Sequence, residues 1–353
     1  MHSPLLPKTG PRGSSCSLQV RAVSLVSVIV PCYNEERTIR LLLGALYEQT
    51  YPRSCMEVLI ADGRSTDRTR AQIASFSEEH PDLNLRVVDN PRRTIPSGLN
   101  AALAAARGDL IVRLDAHSMP RPDYVARCVE ALQAGRGDNV GGVWEIRPGG
   151  PGWVARGIAA AAAHPLAVGD ALYRYAEHAQ YVDTVPFGAF RASLVKQIGP
   201  FDEDLLTNED YEFNTRIRLS GGKVWLDPAI RSTYFARADY AALARQYWRY
   251  GYWKVKMLRR YPAAIRWRQA LPPLFVLSLL VLALLAIWMP AARSLLVLEL
   301  GLYTLALLFV GAQLAVKNKD LPLLISAPLA VATMHLAWGS AFLWSLAVSL
   351  VRR

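Results

Sequence analysis

Apolar and polar positions follow two periods in turn along the first third of the chain. Four runs, Ser24 to Val30, Glu57 to Ala61, Leu85 to Val88 and Leu110 to Leu114, are rich in β-branched and other apolar residues and stop at polar or turn-forming ones. They read as strands. Between them, Glu36 to Glu48, Thr66 to Glu79 and Pro96 to Arg107 carry apolar residues at helical spacing. Alternating strands and helices predict a parallel α/β sheet, because parallel neighbours need a long crossover connection. Such a sheet holds its ligands beyond the carboxyl ends of its strands. The candidate functional residues are therefore Pro31, Tyr33 and Glu35 after the first strand, Asp62 after the second, and Asp115 and His117 after the fourth. No Gly-rich dinucleotide fingerprint follows the first strand and no phosphate loop ending in Gly-Lys-Ser/Thr occurs, so hydride transfer and P-loop hydrolysis lose support.

The pattern changes near the carboxyl end. Gln269 to Ala292 has no charged residue, Ser294 to Val316 has only Glu299, and Leu321 to Val351 has none. A hydrocarbon core about 30 Å thick takes roughly 20 helical residues, so two or three membrane spans are expected, with three preferred, at about 271–290, 294–316 and 322–350. Just before them, Arg245 to Arg268 holds eight basic residues and no acidic ones, interleaved with Tyr and Trp. That composition fits an interfacial segment on an anionic leaflet. It also accounts for much of the net charge of +11 without nucleic acid as a partner. Positive charge beside the first span places the preceding domain in the cytoplasm, at an inner membrane. Three crossings, however, put Arg352 and Arg353 outside, against the positive-inside tendency; either that bias is locally weak or one segment is re-entrant.

Three groups of residues carry a resemblance. The first is Val28-Ile29-Val30-Pro31-Cys32-Tyr33-Asn34-Glu35-Glu36, followed by Ala61-Asp62-Gly63-Arg64-Ser65-Thr66-Asp67 and by Gly108 to His117. The second comprises Val185-Pro186-Phe187-Gly188-Ala189-Phe190-Arg191, Gly199 to Glu203, and Asn208-Glu209-Asp210-Tyr211-Glu212-Phe213-Asn214. The third is Gln246-Tyr247-Trp248-Arg249-Tyr250. In this order they resemble the family 2 glycosyltransferases of GT-A fold, and among those the membrane-attached enzymes of succinoglycan-type exopolysaccharide synthesis. The resemblance implies a Rossmann-like, mostly parallel sheet flanked by helices over residues 22–244, then the interfacial segment 245–268 and the membrane domain 269–353.

It also implies roles. Asp62 is expected to accept from the base of a nucleotide sugar, a UDP-sugar in the first instance, with Pro31, Tyr33 and Glu35 framing the nucleoside. Asp115 and His117 occupy the family's Asp-x-Asp position and are expected to hold a divalent metal. Imidazole in place of a second carboxylate tilts the choice from Mg²⁺ towards Mn²⁺. Asp210 is expected to be the general base that deprotonates the acceptor hydroxyl in an inverting displacement. Gln246, Arg249 and Tyr250 share a helix face and resemble the Gln-x-x-Arg-Trp motif, with Tyr for Trp, so Arg249 is expected to meet the diphosphate and Tyr250 the acceptor. The bland alternatives are a turn at Asp62, an ordinary strand-end His117 and helix-capping acids at 208–210. The implied partners are the donor, a lipid-linked saccharide acceptor, membrane lipids and other polysaccharide-assembly proteins. Polyprenyl phosphate as acceptor, processive synthesis, and a non-catalytic scaffold are the competing readings.

Three further expectations complete the picture. Residues 1–21, rich in Pro, Gly and Ser, read as a disordered lead-in. The cysteines at 16, 32, 55 and 128 show no metal or disulfide spacing. Trp153 to Ala171 reads as one helix, with Gly149 to Gly152 as a loop before it.

Overall fold

A computed structural model describes residues 23–351; the expected lead-in lies outside them. Strand β1 (Val26–Cys32) is buried at every position, and so is β2 (Met56–Asp62), with helix α1 (Ile39–Tyr47) between them. Neither strand alternates because helices cover both faces of a parallel sheet. Helix α2 (Thr69–Glu79) leads to β3 (Asn84–Asp89), and α3 (Ile95–Ala105) to β4 (Leu110–Arg113). The four strands lie in the order β3, β2, β1, β4, all parallel, so the residues after β1, β2 and β4 emerge along one edge. This is the arrangement that strand and helix periods predict.

Beyond β4 the sheet becomes mixed. After β5 (Met119–Pro120), α4 (Tyr124–Gln133), β6 (Asn139–Arg147), α5 (Gly152–Ala162), α6 (Pro165–Val168) and β7 (Gln180–Tyr181) comes β8 (Ala189–Arg191), which pairs antiparallel with both β4 and β6. Helices α7 (Ala192–Ile198) and α8 (Glu209–Leu219) precede the long strand β9 (Val224–Phe235), parallel to β6 and antiparallel to β5 and β7. The change of direction at β4 and β8 opens a crevice at the strand ends. The expected single helix over 153–171 is instead broken in two. Pro165 supplies no backbone N–H and disfavours helical geometry at His164, so α5 ends at Ala162 and α6 restarts at the proline.

Helix α9 (Tyr240–Arg260) carries the basic, aromatic segment and is followed by α10 (Trp267–Leu285), α11 (Pro290–Asn318) and α12 (Leu323–Val351). All three are long and apolar enough to cross a membrane. Their attachments to the α/β half differ. At the start of α10, Arg268 pairs with Asp170 and Asp183; at the turn after α11, Arg156 Nε lies 2.6 Å from Asp320. The α10–α11 hairpin thus leaves the α/β half and returns to it. Helix α12 instead runs along α9: the Tyr240 hydroxyl donates to Ser326 O at 3.1 Å and the Ser345 hydroxyl to Tyr252 O at 2.9 Å. Gly251 permits the close approach between them, since a Cβ there would fall 2.4 Å from Trp338 O.

Candidate active site

Arg113, near the end of β4, is 1% exposed. A guanidinium so buried is costly unless it is paired, and here three carboxylates converge on it. Its Nη2 lies 3.1 Å from Asp115 and 2.9 Å from Glu209, and its Nη1 contacts Asp210. One side chain thereby ties the strand-end aspartate to the first turn of α8. Sequence reasoning missed Arg113, treating it as part of an apolar run. The available signal was a charged residue inside an otherwise apolar buried strand.

Local backbone explains how Asp210 reaches that place. Asn208 has φ 71°, a left-handed turn that starts α8 at Glu209, so Glu209, Asp210 and Glu212 lie in the helix's first turn. Acidic residues are favoured there by the free N–H groups and the positive end of the dipole. Across the crevice Phe187 and Gly188 have φ of 63° and 87°. For a bulky residue such as Phe this conformation costs on the order of 1–3 kcal/mol. It aims the Phe187 N–H at Asp210 Oδ2, 3.4 Å away.

His117 follows Asp115 by one turn, and its Nδ1 stands 3.1 Å from Glu35 Oε1. Hydrogen bonding to that carboxylate raises the imidazole's pKa above its ordinary value. With Nδ1 donating to Glu35, the ring presents Nε2 as a lone pair, the orientation in which a carboxylate supports a metal-ligating histidine. Asp115 likewise uses one carboxylate oxygen on Arg113 and keeps the other. Among the described residues no group of three or more His, Cys, Asp or Glu is gathered as a metal cage. Asp115 and His117 thus keep one carboxylate oxygen and one imidazole nitrogen, a mixed donor pair of the kind that would suit Mn²⁺.

Arg113, Asp115, His117, Asp210, Gln246, Arg249 and Tyr250 all line one cavity of about 570 Å³. Gln246 Nε2 donates to the hydroxyls of Tyr234 and Tyr250, each at 3.0 Å. Pro31, Tyr33, Glu35 and Asp62 lie outside its walls, on the neighbouring strip of the same sheet edge. Asp62 is fully buried; its carboxylate accepts from the Ser65 N–H at 3.1 Å and pairs with Arg70. Of the two basic residues after β3, Arg92 pairs with Glu203 and Arg93 sits over the Tyr33 ring, 5.8 Å from its centre. The cavity continues past the carboxylates to Leu271, Phe275, Tyr303, Met334 and Trp338 on the apolar helices.

Known proteins resemble this chain in sequence and in fold. The profile described as "Glycosyl transferase family 2" matches residues 27–199. The succinoglycan biosynthesis protein ExoA of Rhizobium meliloti (strain 1021) is 31% identical over 319 residues, 89% of this chain and 93% of the relative. A dolichyl N-acetyl-α-D-glucosaminyl phosphate 3-β-D-2,3-diacetamido-2,3-dideoxy-β-D-glucuronosyltransferase of Methanococcus voltae is 28% identical over 320 residues, covering 89% of this chain and 94% of that protein. Among solved structures, a mannosyltransferase of Pyrobaculum calidifontis in complex with GDP-Man and Mn²⁺ superimposes with a TM-score of 0.61 at 24% identity, over 87% of this chain and 86% of the other.

Proposed function

This chain belongs to glycosyl transferase family 2, and we propose that it moves a hexose from a UDP-sugar to a polyprenyl-linked oligosaccharide during envelope or exopolysaccharide synthesis, with inversion. It is a glycosyltransferase of GT-A fold. One observation carries the finer reading: the cavity that holds Asp115, Arg113 and Asp210 extends to the apolar helices, so the reacting centre lies on a passage towards the bilayer. The two curated relatives, one acting on a dolichyl phosphate-linked sugar and one in succinoglycan biosynthesis, support the same acceptor class.

In this mechanism Asp210 takes the proton of the acceptor hydroxyl, whose oxygen attacks the anomeric carbon from the face opposite the diphosphate. The bond from that carbon to the diphosphate oxygen breaks as the new glycosidic bond forms, and the configuration inverts. Arg113 positions Asp210 and Asp115 together, and Arg249 meets the charge on the departing diphosphate. A divalent cation held by Asp115 and His117 would supply Lewis-acid stabilisation of that leaving group. Asp62, Pro31, Tyr33 and Glu35 frame the nucleoside on the adjoining strip.

The attachments of the apolar helices support a membrane hairpin, α10 and α11, that crosses out and back. Helix α12 then lies along the cytoplasmic side of the bilayer, docked on α9. Two crossings return Arg352 and Arg353 to the positive side, which removes the conflict that three crossings create. Other polysaccharide-assembly proteins remain expected partners on the same membrane.

The mechanism is tested by Asp210→Asn in membranes given UDP-sugars and lipid-linked acceptor. Transfer should fall roughly 100- to 10,000-fold with nucleotide binding retained. Normal turnover would overturn the role of Asp210.

A further inference from the structure

Arg174 is a buried charge in the cavity wall. It is 9% exposed and lines the passage between Asp210 and the apolar helices. Unlike Arg113 or Arg268, it has no carboxylate within ion-pair distance among the described residues, and its one hydrogen bond is a 3.3 Å contact from Nη1 to Ala162 O. Aromatic rings surround it instead. Its guanidinium carbon stands 5.2 Å from the centre of the Trp144 ring and 5.5 Å from that of Tyr173. Trp144 stacks on Tyr234 at 4.2 Å, and the indole N–H of Trp144 has no partner among the described residues. An arginine cannot shed its proton, so burial without a counter-ion leaves a charge that the fold alone does not offset.

A buried amine stands in the same wall, its pKa held well below the ordinary value by burial. Lys254 is 1% exposed, its Nζ 3.2 Å from the centre of the Tyr211 ring, and its only hydrogen-bond partner is the Met257 sulfur at 3.6 Å. Lys254 shares a face of α9 with Tyr247 and Tyr250, which line the cavity beside Arg174.

Arg174 follows α6, and α6 joins α12. There Leu166 O contacts His335 Nε2 at 3.0 Å, and His335 Nδ1 contacts the Tyr303 hydroxyl at 3.0 Å. Arg174 and the apolar residues Leu271, Phe275 and Trp338 line the same cavity. A molecule that fills this space has an anionic head among basic groups and an apolar tail towards α10 and α12.

We propose that Arg174, with Lys254 as a second basic group in the same wall, anchors the phosphate of the prenyl lipid that carries the acceptor sugar. This assignment rests on the lipid-acceptor reading above and adds the site that would hold the lipid's head group. Guanidinium suits a phosphate because its planar fork gives paired hydrogen bonds.

The test is equilibrium binding of farnesyl diphosphate to the full-length protein in detergent, with farnesol and inorganic diphosphate as separate arms. Saturable binding is expected, at least tenfold weaker in Arg174→Gln, intermediate in Arg174→Lys, and tighter in wild type than that of either separate component. UDP binding should be the same in all variants, which certifies the fold. Lys254→Met, which removes a buried amine without removing its methylene stem, should weaken farnesyl diphosphate binding in the same direction. Unchanged affinity in Arg174→Gln overturns the assignment, and so does inorganic diphosphate binding as tightly as the prenyl form. Because the readout needs no sugar transfer, it stands apart from the fate of Asp210→Asn.

Discussion

The guanidinium of Arg113 on β4 and the carboxylate of Asp210 in the first turn of α8 are in direct contact, and the same guanidinium also holds Asp115 at 3.1 Å. Two residues far apart in the chain are therefore fixed relative to each other by a third. Removing Arg113 leaves three carboxylates facing each other in a half-buried site. Breaking one partner of a buried ion pair costs about 3–5 kcal/mol. Arg113→Met should lower the thermal midpoint in detergent and cut transfer at least as severely as Asp210→Asn, whereas Arg113→Lys should recover part of both. Wild-type transfer in Arg113→Met would remove Arg113 from the site.

Donor binding should depend on divalent cation. Treatment with EDTA is expected to abolish transfer, and Mn²⁺ to restore it at lower concentration than Mg²⁺, because one of the two protein donors is an imidazole. His117→Ala should raise the Mn²⁺ concentration needed for half-maximal activity at least tenfold while leaving the fold intact. Full activity in EDTA would exclude the metal.

The docking of α12 on α9 gives a structural prediction. A side chain at 251 has no room beside Trp338 O, so Gly251→Val should loosen α12 and lower thermal stability by about 1–3 kcal/mol. With two crossings, a reporter or single cysteine placed after Val351 should be reachable only from the cytoplasmic side. Labelling from outside would instead support three crossings.

Acid sensitivity follows from Glu57. Its carboxylate is 1% exposed at the far end of the sheet; burial alone would raise its pKa, but hydrogen bonds from Ser27, the Arg107 N–H and Arg86 hold it below the ordinary value. A depressed folded-state pKa contributes stability that is present above the unfolded value of about 4.5 and is lost as pH falls through the folded one. Thermal melts between pH 6 and pH 3 should therefore fall more steeply for wild type than for Glu57→Gln, with the two curves converging at the acid end.

Much was legible before any coordinates. The strand expected over Ser24 to Val30 is β1 at Val26–Cys32, and Asp115 does follow β4, because apolar periodicity is a property of neighbouring residues and reports directly which side of a strand or helix is buried. The three apolar helices were visible for the same reason. The break at Pro165 is written in the sequence too, since a proline cannot continue the helix that the alanines 159 to 163 favour.

What the sequence by itself determined, then, was the alternation of elements, the edge where polar residues gather, and the apolar length at the carboxyl end. Tertiary structure alone decided that Arg113 is the shared counter-ion of Asp115, Glu209 and Asp210, that Arg174 has none among the described residues, and that α12 folds back along α9. Periodicity cannot register such facts, because a charge buried in a strand reads the same whether its partners arrive from a distant helix or never arrive. Only the packing of β4 against α8, and of α9 against α12, brings those groups within the few ångströms over which ion pairs and hydrogen bonds act.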